Sequence, residues 1–141
     1  MESISIAEAR TRWADVLQGQ QRKIEIVPVT AALGRVLAAP VMAQTAMPPF
    51  RKSPYDGYAI PYEPNRQDFT VIGTIGAGEV FSGPVAHSEA VRIMTGAPLP
   101  DDCDTVIMQE RCDRDGTALH VNGAIKEGDN VIPIGEECQA G

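Results

Sequence analysis

The residues with the most chemistry to offer lie in two short segments. In Ser53-Pro54-Tyr55-Asp56-Gly57-Tyr58 an Asp-Gly turn lifts the Asp56 carboxylate at the start of a strand. Such an aspartate either bonds its own backbone as a turn residue or stands as an acid at the rim of a site. In Arg92-Ile93-Met94-Thr95-Gly96-Ala97-Pro98-Leu99-Pro100 a strand runs into a threonine, then a glycine and two prolines. That order aims the Thr95 hydroxyl and nearby backbone N–H groups out of a sheet, although a plain strand-to-turn junction has the same composition. Arg51-Lys52 is a small positive island beside Ser53. Most such pairs are solvated surface.

Other clusters carry plainer readings. The run Gly73-Thr74-Ile75-Gly76-Ala77-Gly78 lacks the Gly-Lys-Ser/Thr ending of a phosphate loop, and its glycines run in the wrong order for a dinucleotide turn. A β-loop is expected. Asp101-Asp102-Cys103-Asp104 offers three carboxylates without the glycine and terminal glutamate of a calcium loop, which reads as a solvated turn. Cys103, Cys112 and Cys138 form an odd set with no Cys-x-x-Cys spacing, as reduced thiols of a cytoplasmic protein would. His87 and His120 lack ligand spacing and read as surface residues.

The elements that must position these groups are short. The chain has 141 residues, 43% hydrophobic and 22% charged, enough for a packed domain and inconsistent with wholesale disorder. Thirteen glycines and eleven prolines point to many turns and therefore to β-rich structure. The net charge of −7 leaves no basic field for nucleic acid or an anionic membrane surface. No stretch is long and apolar enough to span a membrane. The first ten residues carry acids rather than a basic region ahead of an apolar one, so no signal peptide is expected.

Residues 5–18 predict a helix. Ser5 and Glu8 form a capping-box pattern, Ile6, Ala9, Trp13, Val16 and Leu17 share one face, and Gly19 stops the run. The helix is expected to pack through Ile6, Trp13 and Leu17. Residues 24–29 and 36–43 read as extended, with Thr30 capping a short turn ended by Gly34 between them. Beyond Met47-Pro48-Pro49-Phe50, which excludes helix, short β runs are expected at 57–60, 69–72, 90–94, 105–109 and 117–121. The boundary falls near Ala46. The predicted class is mainly β with one N-terminal helix, an α+β chain of bent, coiled short sheets.

Several segments taken together carry a resemblance. Pro48-Pro49-Phe50, Ser53, Asp56-Gly57-Tyr58-Ala59, the run Arg92 to Pro100, and Val106-Ile107-Met108-Gln109-Glu110 follow one another in the order of the MoeA family. Ala32-Leu33-Gly34-Arg35-Val36-Leu37-Ala38, Gly128-x-Asn130-Val131 and Gly135-Glu136 extend the match over nearly the whole chain. The chain thus resembles the molybdopterin molybdenumtransferases, relatives of the gephyrin E domain. The resemblance implies three pieces: 1–45 as the start of domain I, 46–131 as an inserted β-rich domain II, and 132–141 as the start of a return to domain I. It reads as an N-terminal fragment.

The resemblance further implies insertion of molybdate into adenylylated molybdopterin, with release of AMP and help from Mg²⁺. It implies a cytoplasmic homodimer, working with other molybdenum-cofactor biosynthesis proteins, in which domain II reaches the partner's cleft. Asp56 and Thr95 match the family's functional aspartate and threonine, and Asp56 would meet the metal. Ser53, with Arg51 and Lys52, would meet substrate. Two departures stand out: Ile132 occupies a position where the family usually has an arginine, and Glu137 one where aspartate is usual. Losing that arginine removes a bidentate donor for phosphate or molybdate, for which Arg51 and Lys52 are the nearby cations. The other class of function open to the chain is a non-catalytic dimerisation or scaffold module.

Overall fold

A computed structural model describes residues 3–18, 20 and 23–141. The chain divides into two compact units, one ending at Val41 and the other running Met42–Gly141.

The first unit holds helix α1, Ile6–Gln18. Its start follows the capping-box chemistry. The Glu8 N–H donates to Ser5 Oγ at 3.1 Å, and the Ser5 N–H donates to Glu8 Oε2 at 3.4 Å. Gly19, the expected stop, lies outside the described residues. The expectation that Ile6, Trp13 and Leu17 bury this helix does not hold: none of its residues is buried, and Trp13 is 67% exposed. Nor do residues 24–29 and 36–43 form strands. Among the described residues of its own unit the helix has for company one 3₁₀ turn, Val29–Ala31, and irregular chain, which provide no apolar layer. Extended segments without a neighbouring edge have no ladder to join. Thr30 lies inside that turn and caps nothing, while Gly34 leaves it at φ 79°. Arg35 pairs with Glu25.

The second unit is a six-stranded mixed sheet. In chain order its strands are β1 (Gly57–Ile60), β2 (Asp68–Ile75), β3 (Glu89–Ile93), β4 (Thr105–Met108), β5 (Cys112–Asp115) and β6 (Ala118–Val121). They lie in the spatial order β4-β1-β3-β2-β6-β5, with β2 and β3 parallel and the other pairs antiparallel. All four residues of β1 are buried, as suits a strand covered on both faces. Tyr58 and Ile60 pack with Phe69, Ala90, Ile107 and Leu119 on one face, while Ala59 packs with Val91, Ile93 and Val106 on the other. A bulge between Val71 and Gly73 bends β2. The mainly β class with one α-helix is what the described residues adopt, with the short strands joined in a single bent sheet rather than several.

The glycine-rich run keeps its plain reading, whereas the acidic turn is less solvated than expected, with Cys103 buried and Asp104 half-buried. The Gly76 N–H donates to Glu79 Oε2 at 2.8 Å, so the glycine-rich run is a turn closed by a carboxylate. An anion there would meet that negative charge. Asp104 Oδ1 accepts from the Tyr62 N–H at 2.9 Å and from Thr105 Oγ1 at 2.8 Å, and Asp102 Oδ2 accepts from the Val85 N–H at 3.0 Å. These acids hold loops. The three cysteines are free. Burial pushes the Cys103 thiol up to about 12 and Cys112 up to about 11, which keeps both protonated and unreactive.

Candidate functional site

Register brings three strand ends to one place. Gly57, the first residue of β1, faces Ile93 at the end of β3 and Met108 at the end of β4. The residues just outside those strands, Asp56, Thr95 and Gln109, therefore gather at one end of the sheet.

Two of them meet directly. Thr95 donates to Asp56 Oδ1 twice, through its N–H at 2.7 Å and its hydroxyl at 2.8 Å. Asp56 is half-buried and Thr95 exposed. The Thr95 N–H, then its hydroxyl, hold the Asp56 carboxyl below its ordinary value; partial desolvation opposes them and the charge of Arg92 adds to them. Asp56 Oδ2 accepts no hydrogen bond among the described residues, so it has capacity for a cation or a donor on a ligand. The hydroxyl proton of Thr95 is committed to Asp56. This corner is thus rich in acceptors, which suits a cation better than an oxyanion.

The remaining predicted residues surround this pair in supporting positions. Ser53 is fully buried, and its Oγ donates to the Tyr55 carbonyl at 2.5 Å while accepting from the Tyr55 N–H at 3.2 Å. The turn before Asp56 is therefore closed by Ser53, which frees the Asp56 side chain for Thr95. The main chain of Ser53 pairs with the next loop as well, its N–H donating to Ala97 O at 3.1 Å and its carbonyl accepting from the Gly96 N–H at 2.8 Å. Arg51 donates to three carbonyls, Cys103 at 2.9 Å, Asp101 at 3.2 Å and Pro100 at 3.3 Å. The fork reaches these carbonyls from two separate nitrogens, a spread that the single nitrogen of an ammonium cannot reproduce. Arg51→Lys should therefore lower the stability of the sheet unit by about 2 kcal/mol, the scale of charge-assisted bonds lost from a partly buried site. An unchanged thermal midpoint for this variant would remove the anchoring role.

Lys52 sits where the end of the chain returns. Its main chain exchanges hydrogen bonds with Ile132, at 3.1 and 3.0 Å, and its Nζ lies 3.5 Å from Glu137 Oε1. Both departures from the family pattern are therefore neighbours of Lys52, and Lys52 rather than Arg51 presents its charge there. Asn130, at φ 56°, donates from Nδ2 to the Val106 carbonyl at 2.9 Å and fixes the same corner from the β4 side.

Reasoning from the sequence did not single out Arg92 and Gln109. Arg92 stands over the Tyr58 ring, 5.1 Å from its centre, and bonds Gln109. Their only signal was membership of two otherwise apolar strand runs, where a charge or amide needs a partner.

A family model described as the MoeA N-terminal region, domains I and II, matches residues 4–141. The chain belongs to the MoeA family. Among curated relatives, the molybdopterin molybdenumtransferase of Staphylococcus epidermidis is 39% identical over 117 residues, covering 78% of this chain and 28% of that protein. The enzyme of the same name from Staphylococcus aureus is 37% identical over 122 residues, covering 82% of this chain and 29% of that one. The chain thus spans less than a third of the length of these MoeA relatives. Two crystal structures of molybdopterin biosynthesis MoeA proteins from Pyrococcus horikoshii superpose with TM-scores of 0.74 and 0.71, at 34% and 29% identity. They cover 83% and 93% of this chain, and 33% and 36% of the solved ones. The MoeA likeness therefore extends through the sheet that carries Asp56 and Thr95.

Proposed function

We propose that this chain is the N-terminal part of a molybdopterin molybdenumtransferase, which inserts molybdate into adenylylated molybdopterin and releases AMP during molybdenum-cofactor synthesis. The observation that carries the reading is the Asp56–Thr95 pair at the end of the sheet, with one carboxylate oxygen held and the other available. The names of the relatives support it.

Residues 1–45 then begin domain I, 46–131 form domain II, and 132–141 start the return. The return is supported by the Gly141 N–H bonding the Ala43 carbonyl at 3.0 Å. The site is completed in a homodimer, where Asp56 and Thr95 reach substrates held by the other copy. The free thiols agree with action in the cytoplasm, beside other enzymes of cofactor synthesis.

Mg²⁺ fits this corner as one ligand's worth. Among the described residues no three His, Cys, Asp or Glu side chains are grouped to hold a metal ion. Mg²⁺ commonly takes one or two carboxylates together with substrate phosphates and water, and Asp56 Oδ2 is such a carboxylate oxygen. When bound, the ion would neutralise charge on the phosphate from which AMP departs. Thr95 holds the Asp56 carboxylate in one orientation and keeps it ionised. Ser53 and Arg51 hold the loops that carry the pair, and Lys52 would turn its charge to an anionic substrate by exchanging its partner Glu137, 3.5 Å away.

The test measures AMP release dependent on molybdate. The full-length protein should turn over, whereas residues 1–141 alone should not, because one acceptor corner cannot hold a pterin, a nucleotide and a metal together. In the full-length protein Thr95→Val should lower turnover about ten-fold, the scale of a lost positioning contact. Turnover by residues 1–141, or an unaffected Thr95→Val enzyme, would refute this assignment of roles.

A further inference from the structure

Arg92 and Gln109 join the two strands that flank β1 without touching the Asp56 carboxylate. Arg92, on β3, faces Tyr58 in register, lies over its ring, and donates to the Gly57 carbonyl at 3.3 Å. The same guanidinium donates to Gln109 Oε1. Gln109, just past β4, donates its own N–H to the Asp56 carbonyl at 3.1 Å. Both carbonyls of the Asp56–Gly57 step are therefore held, one by each residue, and the side chains of the two donors are bonded to each other. Arg92 is half-buried, where such a network gains strength from the reduced dielectric. Gln109 is exposed and belongs to neither core cluster. Its side chain therefore adds little to the packing of the sheet.

We infer that Arg92 and Gln109 form a positioning clamp that fixes the main chain at Asp56–Gly57 and thereby sets the Asp56 carboxylate against Thr95. Its bearing on the reaction rests on the function proposed above, whereas the clamp itself is measured independently of that function. Neither residue touches substrate in this account; both act through Asp56.

Gln109→Leu is the main variant, because the site is exposed and the main-chain N–H to Asp56 remains. Amide hydrogen exchange in this chain, followed by NMR, should show the Thr95 amide exchanging ten-fold or more faster. The ladder amides of Ala59 and Val91 should keep their rates. Arg92→Lys, which retains charge but not the fork, should produce the same local change. The double variant should be no worse than either single one, as expected of two halves of one unit. In the full-length protein the same variants should lower kcat at least about five-fold with KM within about two-fold, the pattern of misplacement rather than lost binding.

Unchanged Thr95 exchange, additive effects, or a rise in exchange spread over the whole sheet would each overturn the clamp. Fast Thr95 exchange with undiminished kcat, in an enzyme that Asp56→Asn inactivates, would overturn its positioning role. Fast Thr95 exchange alongside full activity of Asp56→Asn would confirm the clamp and reject the proposed part of Asp56 in the reaction.

Discussion

Gly57→Ala is expected to unfold the sheet unit near physiological temperature. A Cβ at residue 57 would fall well inside contact distance of the Ile107 carbonyl oxygen, and 3.0 Å from its carbon. The obstacle is backbone of the neighbouring strand, which cannot rotate away as a side chain would. β1 is the buried strand between β3 and β4, so relief would require moving ladders on both sides. Overpacking of this kind belongs to the severe end of single substitutions, on the order of 4 kcal/mol. For a unit of this size that lowers the thermal midpoint by roughly 15–30 °C. Gly116→Asn is the contrast: Gly116 has φ 58° with open space around it, and asparagine tolerates that conformation. Its cost should stay below about 1 kcal/mol. A Gly57→Ala protein that melts within a few degrees of wild type would mean that β1 and β4 are not packed as described.

Asp56→Asn carries the second large effect, on activity and not on folding. The amide keeps an oxygen at the Oδ1 position, so both Thr95 donors retain an acceptor and the thermal midpoint at neutral pH should fall only by the charge-assisted part of that contact. The change removes the charge that a cation requires. Molybdate insertion by the full-length protein should therefore fall about ten-fold or more, the scale of one charge-assisted contact. A variant that folds normally and retains full activity at limiting metal and molybdate would exclude Asp56 from the reaction. The same substitution has a signature in acid. The Asp56 carboxyl lies below the ordinary 3.8, chiefly through the Thr95 N–H and hydroxyl. A depressed acid stabilises the fold above its unfolded value, and that contribution is lost as pH falls through the folded value. Asp56→Asn should remove this loss, so melting curves between about pH 5 and pH 2 should fall less steeply than those of the wild type.

Much of the sheet was legible because its strands announce themselves twice, by apolar runs and by the glycines and prolines that bound them. Residues 57–60 coincide with β1, and the runs at 69–72, 90–94, 105–109 and 117–121 fall on β2, β3, β4 and β6. β5 was missed because Cys-Asp-Arg-Asp is an exposed edge strand whose charges read as a loop. In the first unit the opposite error arose: 24–29, with its alternating residues, and 36–43 both read as extended, but an extended segment becomes a strand only where a neighbouring edge exists. The face of α1 was read correctly as apolar, yet periodicity says which side is apolar and not what covers it.

The site was half legible. Asp56 and Thr95 could each be placed at a strand–turn junction, but their meeting depends on a register between segments far apart in the chain. Ser53 and Arg51 were noticed for their polar groups, which the structure directs at the main chain instead. No pattern in sequence distinguishes a guanidinium that binds a ligand from one that binds three carbonyls. The Asp56-Gly57 pair misled in a more specific way. Gly57 is present because β4 passes too close for a side chain, not because a turn needs its conformational freedom.

The strand order also has a kinetic consequence. Only β5 and β6 are neighbours both in sequence and in the sheet with a short turn between them, so that hairpin can close early and locally. β1 must instead wait for β3 and β4, and the Asp56–Thr95 bond spans 39 residues. Closing such loops costs chain entropy before any contact repays it, and topologies of this kind fold slowly. The corner that carries Asp56 is therefore expected to assemble after the β5–β6 hairpin. A nascent chain interrupted before β4 would hold both residues of the pair and still lack the neighbour that Asp56 uses on that side.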